Sequence, residues 1–295
     1  MKNLVIKIPL LIILLWCNAG NAQTIVTTAV TAASCTNNLI VPVTVTNCND
    51  IGAISLVLNY NNSNLTFAGY QQVHSQLLSG LLSVNATTTS ILFSWAGNTA
   101  ANIGNDTLVK FIFTSVAGTS ALSWDVTTPG SCEYSNTGGT ILPSSYYGGN
   151  VTRYQLPVIN TQPSNQSVLN GQIGSFTING SATGIVYLWQ GSSDNGVTWS
   201  DLSNAPPYSG TNTATMTINP TSLSMNGNLY RCRVSGTCSP EQYSDSALLS
   251  IKNPVITTLP TFSVCPVGIR IPVTVSNFDD IGAFSLTFSY DTAKM

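Results

Sequence analysis

Residues that could carry out acid–base, nucleophilic or metal chemistry are few and scattered. The chain has one histidine, His74, and two glutamates, Glu133 and Glu241. The glutamates fall in different predicted modules, so they are not expected to form a glycosidase pair. Neither the G-x-S-x-G turn of serine hydrolases nor an H-E-x-x-H zinc motif is present. We therefore predict that the protein is not an enzyme and uses no cofactor or metal.

Cysteine offers more chemistry, because an exported chain can form disulfides. Cys232 and Cys238 lie close in sequence and are predicted to staple one hairpin. Cys35 is predicted to pair with Cys132. No C-x-x-C pair or histidine cluster is present, which favours structural cysteines over zinc ligands.

One stretch of sequence occurs twice. Residues 41–60 return as residues 271–290, with twelve of twenty positions identical at a constant offset of 230. Cys48 becomes Phe278 in the second copy, which favours a buried, unbridged Cys48. Asp50 recurs as Asp280. We expect this aspartate to form a turn before a strand rather than to bind a ligand. The chain is therefore predicted to be a fragment of a longer repetitive protein.

The composition indicates strands and turns. Charged residues make up 7% of the chain and hydrophobic residues 43%, so Ser, Thr, Asn and Gln supply most of the polarity. Thr and Val suit a pleated surface, whereas Asn, Gly and Ser suit turns. The net charge of −2 and the lack of a basic patch argue against nucleic acid or an anionic membrane surface as partners. The predicted fold class is all-β, with tandem β-sandwiches.

The N-terminus has the form of a secretory signal. Lys2 and Lys7 give a positive start, and Ile8–Trp16 form an apolar run. The small residues at 20–22 follow it, with cleavage expected after Ala22. No later stretch is long and apolar enough to span a bilayer. We predict that residues 1–22 are a signal peptide and that the protein is secreted, to the extracellular space or the cell surface.

Residues 24–154 are predicted to form the first module. Ile91, Phe93 and Trp95 share one face of an alternating segment, which places Trp95 in the core. Short strands without helices predict a β-sandwich. The predicted strands are Leu39–Thr46, Ile51–Tyr60, Ile91–Ala96, Thr107–Ser115 and Ala121–Val126.

The ordered segments VPVTVTN, IGAISLVLNYNNSNL, SILFSWAGN and DTLVKFIFTSVAG resemble a cohesin module. Cohesins are jelly-roll sandwiches related to carbohydrate-binding modules, and in cellulosomes they bind dockerin modules on polysaccharide-degrading enzymes. The resemblance implies dockerin-bearing proteins, or polysaccharide, as partners. Many cohesins use an Asn and an Asp to contact dockerin, and this chain has Ala53 and Ser55 at the corresponding positions. Gly97 stands where those cohesins have a Glu.

Four residues form the candidate binding set of the first module: Ser55, Asn98, Tyr146 and Tyr147. Ser55 can donate a hydrogen bond. The two tyrosines, flanked by Ser and Gly-Gly, could stack on sugar rings. Neighbouring residues of a strand point in opposite directions, so at most one tyrosine could join a flat platform.

Three further segments follow the first module. A linker is predicted at residues 155–163 and a second module at residues 160–252. Residues 254–295 are predicted to begin a second cohesin-like domain, truncated after two strands.

The second module resembles a bacterial immunoglobulin-like domain. Trp189 lies in a predicted strand, Asn195-Gly196 is a strong hairpin-turn signal before a returning strand at Val197–Trp199, and Tyr230 stands two residues before Cys232. Phe176 occupies the place of an inter-sheet cysteine, so Trp189 is expected to pack against an apolar core. The resemblance implies a spacer or adhesive unit.

Three function hypotheses follow. The first is a secreted, non-catalytic scaffold, whose cohesin-like module assembles proteins linked to polysaccharide breakdown. The second is direct glycan binding, which an exposed line of aromatic side chains would favour. The third is a structural stalk or adhesin of the cell surface, favoured by the low charge and the replaced recognition residues.

Overall fold

The computed structural model of the chain describes residues 24–260, 271–278, 283–287 and 289. The signal-peptide prediction for residues 1–22 lies outside this part. The described residues form β-strands joined by turns, with single-turn 3-10 helices at Ser75–Leu77 and Leu223–Met225 and no α-helix. The all-β class is confirmed. Two compact units divide after Tyr154.

The strands of the first unit form two sheets over one apolar core. They are β1 (Ile25–Ala29), β2 (Ala32–Ser34), β3 (Asn38–Cys48), β4 (Ile51–Tyr60), β5 (Leu65–Gln71), β6 (Leu81–Ala86), β7 (Ser90–Ala101), β8 (Gly104–Ser115), β9 (Gly118–Trp124), β10 (Glu133–Ser135), β11 (Ile141–Leu142), β12 (Ser144–Tyr147) and β13 (Gly149–Arg153).

Sheet 1 has the order β12-β1-β3-β8-β5, and sheet 2 has the order β11-β10-β4-β9-β13-β2. The other long side of β4 pairs with β7, which in turn pairs with the edge strand β6. Two pairs are parallel, β1 with β12 and β2 with β13. The first unit is therefore a sandwich whose central strand in sheet 2 is β4.

Alternation decides which side chains enter this core. In β4, Ile54, Leu56 and Leu58 are buried, while the residues between them reach the outer side of sheet 2. The predicted bounds Ile51–Tyr60 coincide with β4. Trp95 is 2% exposed, as its alternation with Ile91 and Phe93 predicts.

The second unit contains three small sheets over a separate core. Its strands are β14 (Val158–Thr161), β15 (Gln166–Leu169), β16 (Gly174–Thr177), β17 (Asn179–Ser181), β18 (Val186–Ser192), β19 (Ser200–Asp201), β20 (Tyr208–Ser209), β21 (Thr215–Ile218), β22 (Leu229–Ser235), β23 (Gln242–Tyr243) and β24 (Ala247–Lys252). The largest sheet has the order β15-β24-β22-β18-β19, and β23 pairs with β22.

Aromatic side chains fill the core of the second unit. The Phe176 ring lies 6.3 Å from that of Trp189 and 5.0 Å from that of Tyr230, measured between centroids. All three are fully buried. Trp189 therefore packs against an apolar core, as expected.

Two local predictions for the second unit need correction. Part of the expected linker forms β14, which pairs with β17. The strand expected at Val197–Trp199 begins only at Ser200, because the Asp194 carboxylate accepts the Thr198 backbone N–H at 2.9 Å and lengthens the turn.

A separate hairpin follows, formed by β25 (Ile256–Thr258) and β26 (Thr274–Ser276). Ile256 pairs with Ser276 as Val26 pairs with Thr46, so the register of β1 with β3 recurs at the same sequence offset. Local geometry recurs as well. Asn47 and Asn277 both have φ of 57°, and their Nδ2 atoms donate to the carbonyls of Thr24 and Pro254 at 3.2 and 3.0 Å.

Candidate functional site

A row of hydroxyl groups crosses the outer side of sheet 2. Glu133 on β10 pairs with Ser55 on β4, Ser55 with Ser94 on β7, and Ser94 with Ser83 on β6. Side chains at such paired positions are direct neighbours, about 5 Å apart. We call the outer side of β10, β4, β7 and β6 the serine face.

Small and apolar residues flank this row. On one side, Ala53 pairs with Ala96, and Ala96 with Leu81. Leu81 is 82% exposed, and Leu92, in the row on the other side, is also exposed. The middle of the serine face is therefore low and flat, with a leucine on each side of the hydroxyl row.

Asn98 lies beside the serine face. It is exposed and lines a cavity of about 340 Å³ together with Leu81 and Ala96. The structure thus brings two of the four candidate residues, Ser55 and Asn98, to the same side of sheet 2.

Two glycines shape this end of the face around Trp95. The Trp95 Nε1 donates to the Leu77 carbonyl at 2.8 Å, which fixes the indole. A Cβ on Gly97 would lie 2.5 Å from the ring, and one on Gly80 would lie 2.4 Å from Nε1. Only glycine fits at these two positions without a shift of the ring.

Tyr146 and Tyr147 lie elsewhere, on the edge strand β12 of sheet 1. Tyr146 stacks on Tyr134, with centroids 6.4 Å apart and an interplanar angle of 11°. Burial raises the pKa of Tyr146 to about 12. Tyr147 points the opposite way and is 58% exposed. One tyrosine of the pair is therefore accessible, and with Trp95 and Trp124 buried no exposed line of the named aromatics exists.

A buried polar contact lies behind the serine face and was not predicted from the sequence. The Thr27 Oγ1 lies 2.7 Å from the Tyr134 hydroxyl, and both residues are fully buried. Burial raises the pKa of Tyr134 well above its ordinary value. Tyr134 follows Glu133 on β10 and pairs with Ile54, so this contact supports the strand at one end of the hydroxyl row.

The predicted disulfides are wrong. Cys132 and Cys232 are free thiols, whereas Cys35 and Cys238 are each disulfide-bonded. Cys232 points into the core from β22, in register with Trp189, while Cys238 lies beyond the end of that strand. The Cys132 thiol instead contacts the Val57 backbone, whose N–H donates to Sγ at 3.4 Å.

Cys48 is a buried free thiol, as its replacement by Phe278 suggested. It is fully buried at the end of β3, and burial raises its pKa to about 12. Phe278, at the corresponding place in the second copy, is 41% exposed and packs edge-on against Phe284, with ring centroids 5.1 Å apart.

The second unit carries one concentrated polar cluster. The Arg231 guanidinium lies between two aromatic rings, 4.2 Å from the Trp199 centroid and 4.5 Å from that of Tyr243. Gln190 accepts from the Arg231 Nε at 2.9 Å and donates to Asp201 at 2.6 Å. The cluster ties β19, β18, β22 and β23 together by cation–π contacts and hydrogen bonds. No sequence motif indicated it, because its residues come from four strands and the turn before β19.

The described residues contain no group of three or more His, Cys, Asp or Glu side chains placed to hold a metal ion. No helix in this part of the chain has the length and apolarity required to cross a membrane.

No known family model matches the sequence, and no curated protein matches it. Among solved structures, a non-cellulosomal cohesin from Archaeoglobus fulgidus matches 44% of this chain and 91% of its own, at 20% identity and a TM-score of 0.38. The Coh-OlpA–Doc918 type I cohesin–dockerin complex from Clostridium thermocellum matches 44% of this chain and 99% of its own, at 13% identity and a TM-score of 0.38. The titin M10–obscurin-like 1 Ig complex matches 34% of this chain and 97% of its own, at 17% identity and a TM-score of 0.28.

Proposed function

We propose that the first unit docks a partner protein on the serine face. The hydroxyl row of Ser55, Ser94 and Ser83 carries this proposal, because small side chains leave four neighbouring strands open as one flat surface. Flat surfaces with exposed apolar side chains suit protein partners, whereas small ligands need concave sites.

The partner we propose is a dockerin-bearing protein, as the cohesin-like segments of the sequence imply. Glu133 is the one charged residue of the hydroxyl row, so apolar burial on Leu81 and Leu92 and hydrogen bonds to the serines would hold the partner. Such binding depends little on ionic strength, since few charges are available to be screened.

In this proposal the chain is a secreted, non-catalytic scaffold that contributes to polysaccharide breakdown. The second unit is an immunoglobulin-like spacer. The β25–β26 hairpin begins a second copy of the first sandwich, which its shared register with β1 and β3 supports.

A structural stalk is the second candidate. The same recurring hairpin favours it, because alternating sandwich units set length whether or not any face binds a partner. In a stalk, the serine face would have no occupant.

The test is affinity capture with matched variants. The purified chain is immobilised, and secreted proteins of its source organism are passed over it with calcium and then with a chelator, because dockerins need calcium to fold. Ser94→Arg places a bulky cation in the hydroxyl row, and Ile40→Arg places the same group on the exposed side of sheet 1.

We expect calcium-dependent capture of a protein that mass spectrometry identifies as dockerin-bearing. Ser94→Arg should abolish this capture and Ile40→Arg should retain it. An empty column with the unmodified chain would reject the docking proposal in favour of a stalk. Equal capture by Ser94→Arg would show that the serine face is not the docking surface.

A further inference from the structure

Two cavities of the first unit adjoin one another. Their volumes are about 590 and 320 Å³, and they share Asn62 and Thr66 as lining residues. The larger lies between β5 of sheet 1 and the turn from β6 to β7 of sheet 2, and the smaller lies over the turn from β4 to β5. We call the two together the asparagine trough, lined chiefly by Asn37, Asn38, Asn62, Asn64, Thr66 and Phe67.

The lining is polar but uncharged. No Asp, Glu, Lys, Arg or His lines either cavity. Each side-chain amide carries two donor hydrogens and an acceptor oxygen. The amides of Asn37, Asn38 and Asn62 make no hydrogen bond to any residue of the described chain, so a ligand would find them unoccupied.

Sheet register and turn geometry hold these groups in place. Asn38 on β3 pairs with Thr114 on β8, and Thr114 pairs with Thr66 on β5, which makes a second cross-strand polar row. The Asn61 Oδ1 accepts the Ser63 backbone N–H at 2.9 Å and shapes the turn that presents Asn62. The backbone that carries these side chains is therefore fixed before any ligand arrives.

An aromatic ring lies at the larger cavity. Phe67 is half-buried and packs edge-on against Phe111 and Phe113, at centroid distances of 5.9 and 6.0 Å. On the opposite wall, the Tyr60 hydroxyl donates to the Thr87 carbonyl at 2.9 Å and anchors the turn from β6 to β7. The trough thus combines an apolar ring with hydroxyl and amide groups.

Ser115 lines the smaller cavity, but its Oγ is closed to solvent and makes no hydrogen bond. The Arg153 Nη1 donates to the Ser115 carbonyl at 2.9 Å, so this hydroxyl lies beside a guanidinium behind the lining. The accessible polar groups of the trough are therefore the asparagine and threonine side chains.

We propose that the asparagine trough binds a neutral oligosaccharide. A sugar ring presents hydroxyls to amides and an apolar C–H face to an aromatic ring. A carboxylate or phosphate ligand would require a cation that the lining lacks, and an apolar ligand would leave the amides unpaired. The trough lies apart from the serine face, so this proposal does not depend on the docking of a protein partner.

The test is titration calorimetry on the whole purified chain. The probes are β-1,4-linked hexasaccharides of glucose, xylose and mannose, with hexagalacturonate as the charged counterpart. Asn38→Ala/Asn62→Ala removes two amides of the trough. The matched control is Asn150→Ala, an exposed asparagine on β13 of sheet 2.

We expect at least one neutral hexasaccharide to bind, and the double variant to bind it roughly tenfold more weakly, the effect of losing two modest hydrogen bonds. Asn150→Ala and Ser94→Arg should bind as the unmodified chain does. The proposal is overturned if no neutral probe binds, if only hexagalacturonate binds, or if the double variant binds as tightly as the Asn150→Ala control.

Discussion

The Oγ1 of Thr27 lies 2.7 Å from the hydroxyl of Tyr134, and neither side chain reaches solvent. Thr27 belongs to β1 in sheet 1 and Tyr134 to β10 in sheet 2, so the contact joins the two layers through the core. β10 has only three residues, and this bond supplements its short pairing with β4. The position of Glu133 on the serine face therefore depends on a contact at the opposite side of the same strand.

Tyr134→Phe should destabilise the first unit by about 1–3 kcal/mol, because it leaves the buried Thr27 hydroxyl without its partner. Urea unfolding followed by fluorescence measures the change. Tyr147→Phe is the control, since that side chain is 58% exposed and its loss should be nearly neutral. Equal unfolding midpoints for the two variants would contradict the role of the contact.

Gly97→Ala should destabilise the first unit by about 1–3 kcal/mol, because its Cβ would lie 2.5 Å from the Trp95 ring. The indole must then shift, which also strains its hydrogen bond to the Leu77 carbonyl. Gly174→Ala is the comparison, since its Cβ would meet its nearest neighbour at 3.4 Å. Thermal unfolding of both variants measures the difference, and a larger loss for Gly174→Ala would refute the argument.

The three free thiols of the described residues should alkylate in a definite order. Burial raises the pKa of Cys48 to about 12 and that of Cys232 to about 11, and both side chains are fully buried. Burial also raises the pKa of Cys132, but that residue is only partly buried. Because the thiolate is the reactive form, iodoacetamide at pH 8 should label Cys132 first in the native protein and the other two only after unfolding. Peptide mass spectrometry measures this order, and a disulfide at Cys132 or Cys232 would contradict it.

Acid should weaken the second unit partly through Asp194. Hydrogen bonds from the Thr198 side chain and backbone, and then from Ser192, lower the pKa of Asp194 to about 2. The folded-state pKa lies below the unfolded value, so this stabilisation is complete above the unfolded pKa and is lost as pH falls through about 4 to 2.

Asp194→Asn should therefore lose less stability than the unmodified chain over that acid range, while being less stable near neutral pH. Unfolding midpoints measured in steps of pH test this. Asp245→Asn is the control, because that exposed carboxylate accepts no hydrogen bond within the described chain. An identical acid response for Asp194→Asn and the unmodified chain would exclude the contribution.

The local sequence pattern was sufficient to predict the structure where every second residue of a strand faced the core. β4 could be placed to the residue, since Ile54, Leu56 and Leu58 alternate with smaller or polar side chains. The opposite orientations of Tyr146 and Tyr147 followed from the same rule. Phe176 in the place of a cysteine correctly indicated an apolar core around Trp189.

Features that depend on pairing between distant strands could not be predicted. The hydroxyl row needs the registers of β4, β6, β7 and β10, which no single segment encodes. The parallel pairs of the first unit involve strands of three to five residues, too short for a recognisable period. The pairing of Cys232 with Cys238 was predicted from their proximity in sequence. It is wrong because strand β22 directs the Cys232 thiol into the core.

The recurring hairpin has a consequence for misfolding. The β25–β26 pair and Asn277 have the same register and the same asparagine anchor as the β1–β3 pair and Asn47, so each strand pair is a structural substitute for the other. A nascent chain could therefore insert the later hairpin into the earlier sandwich, a swap typical of tandem repeats. Two features oppose the swap: strands β14 to β24 separate the copies in sequence, and eight of twenty positions differ between residues 41–60 and 271–290. Divergence between the copies thus opposes incorrect assembly.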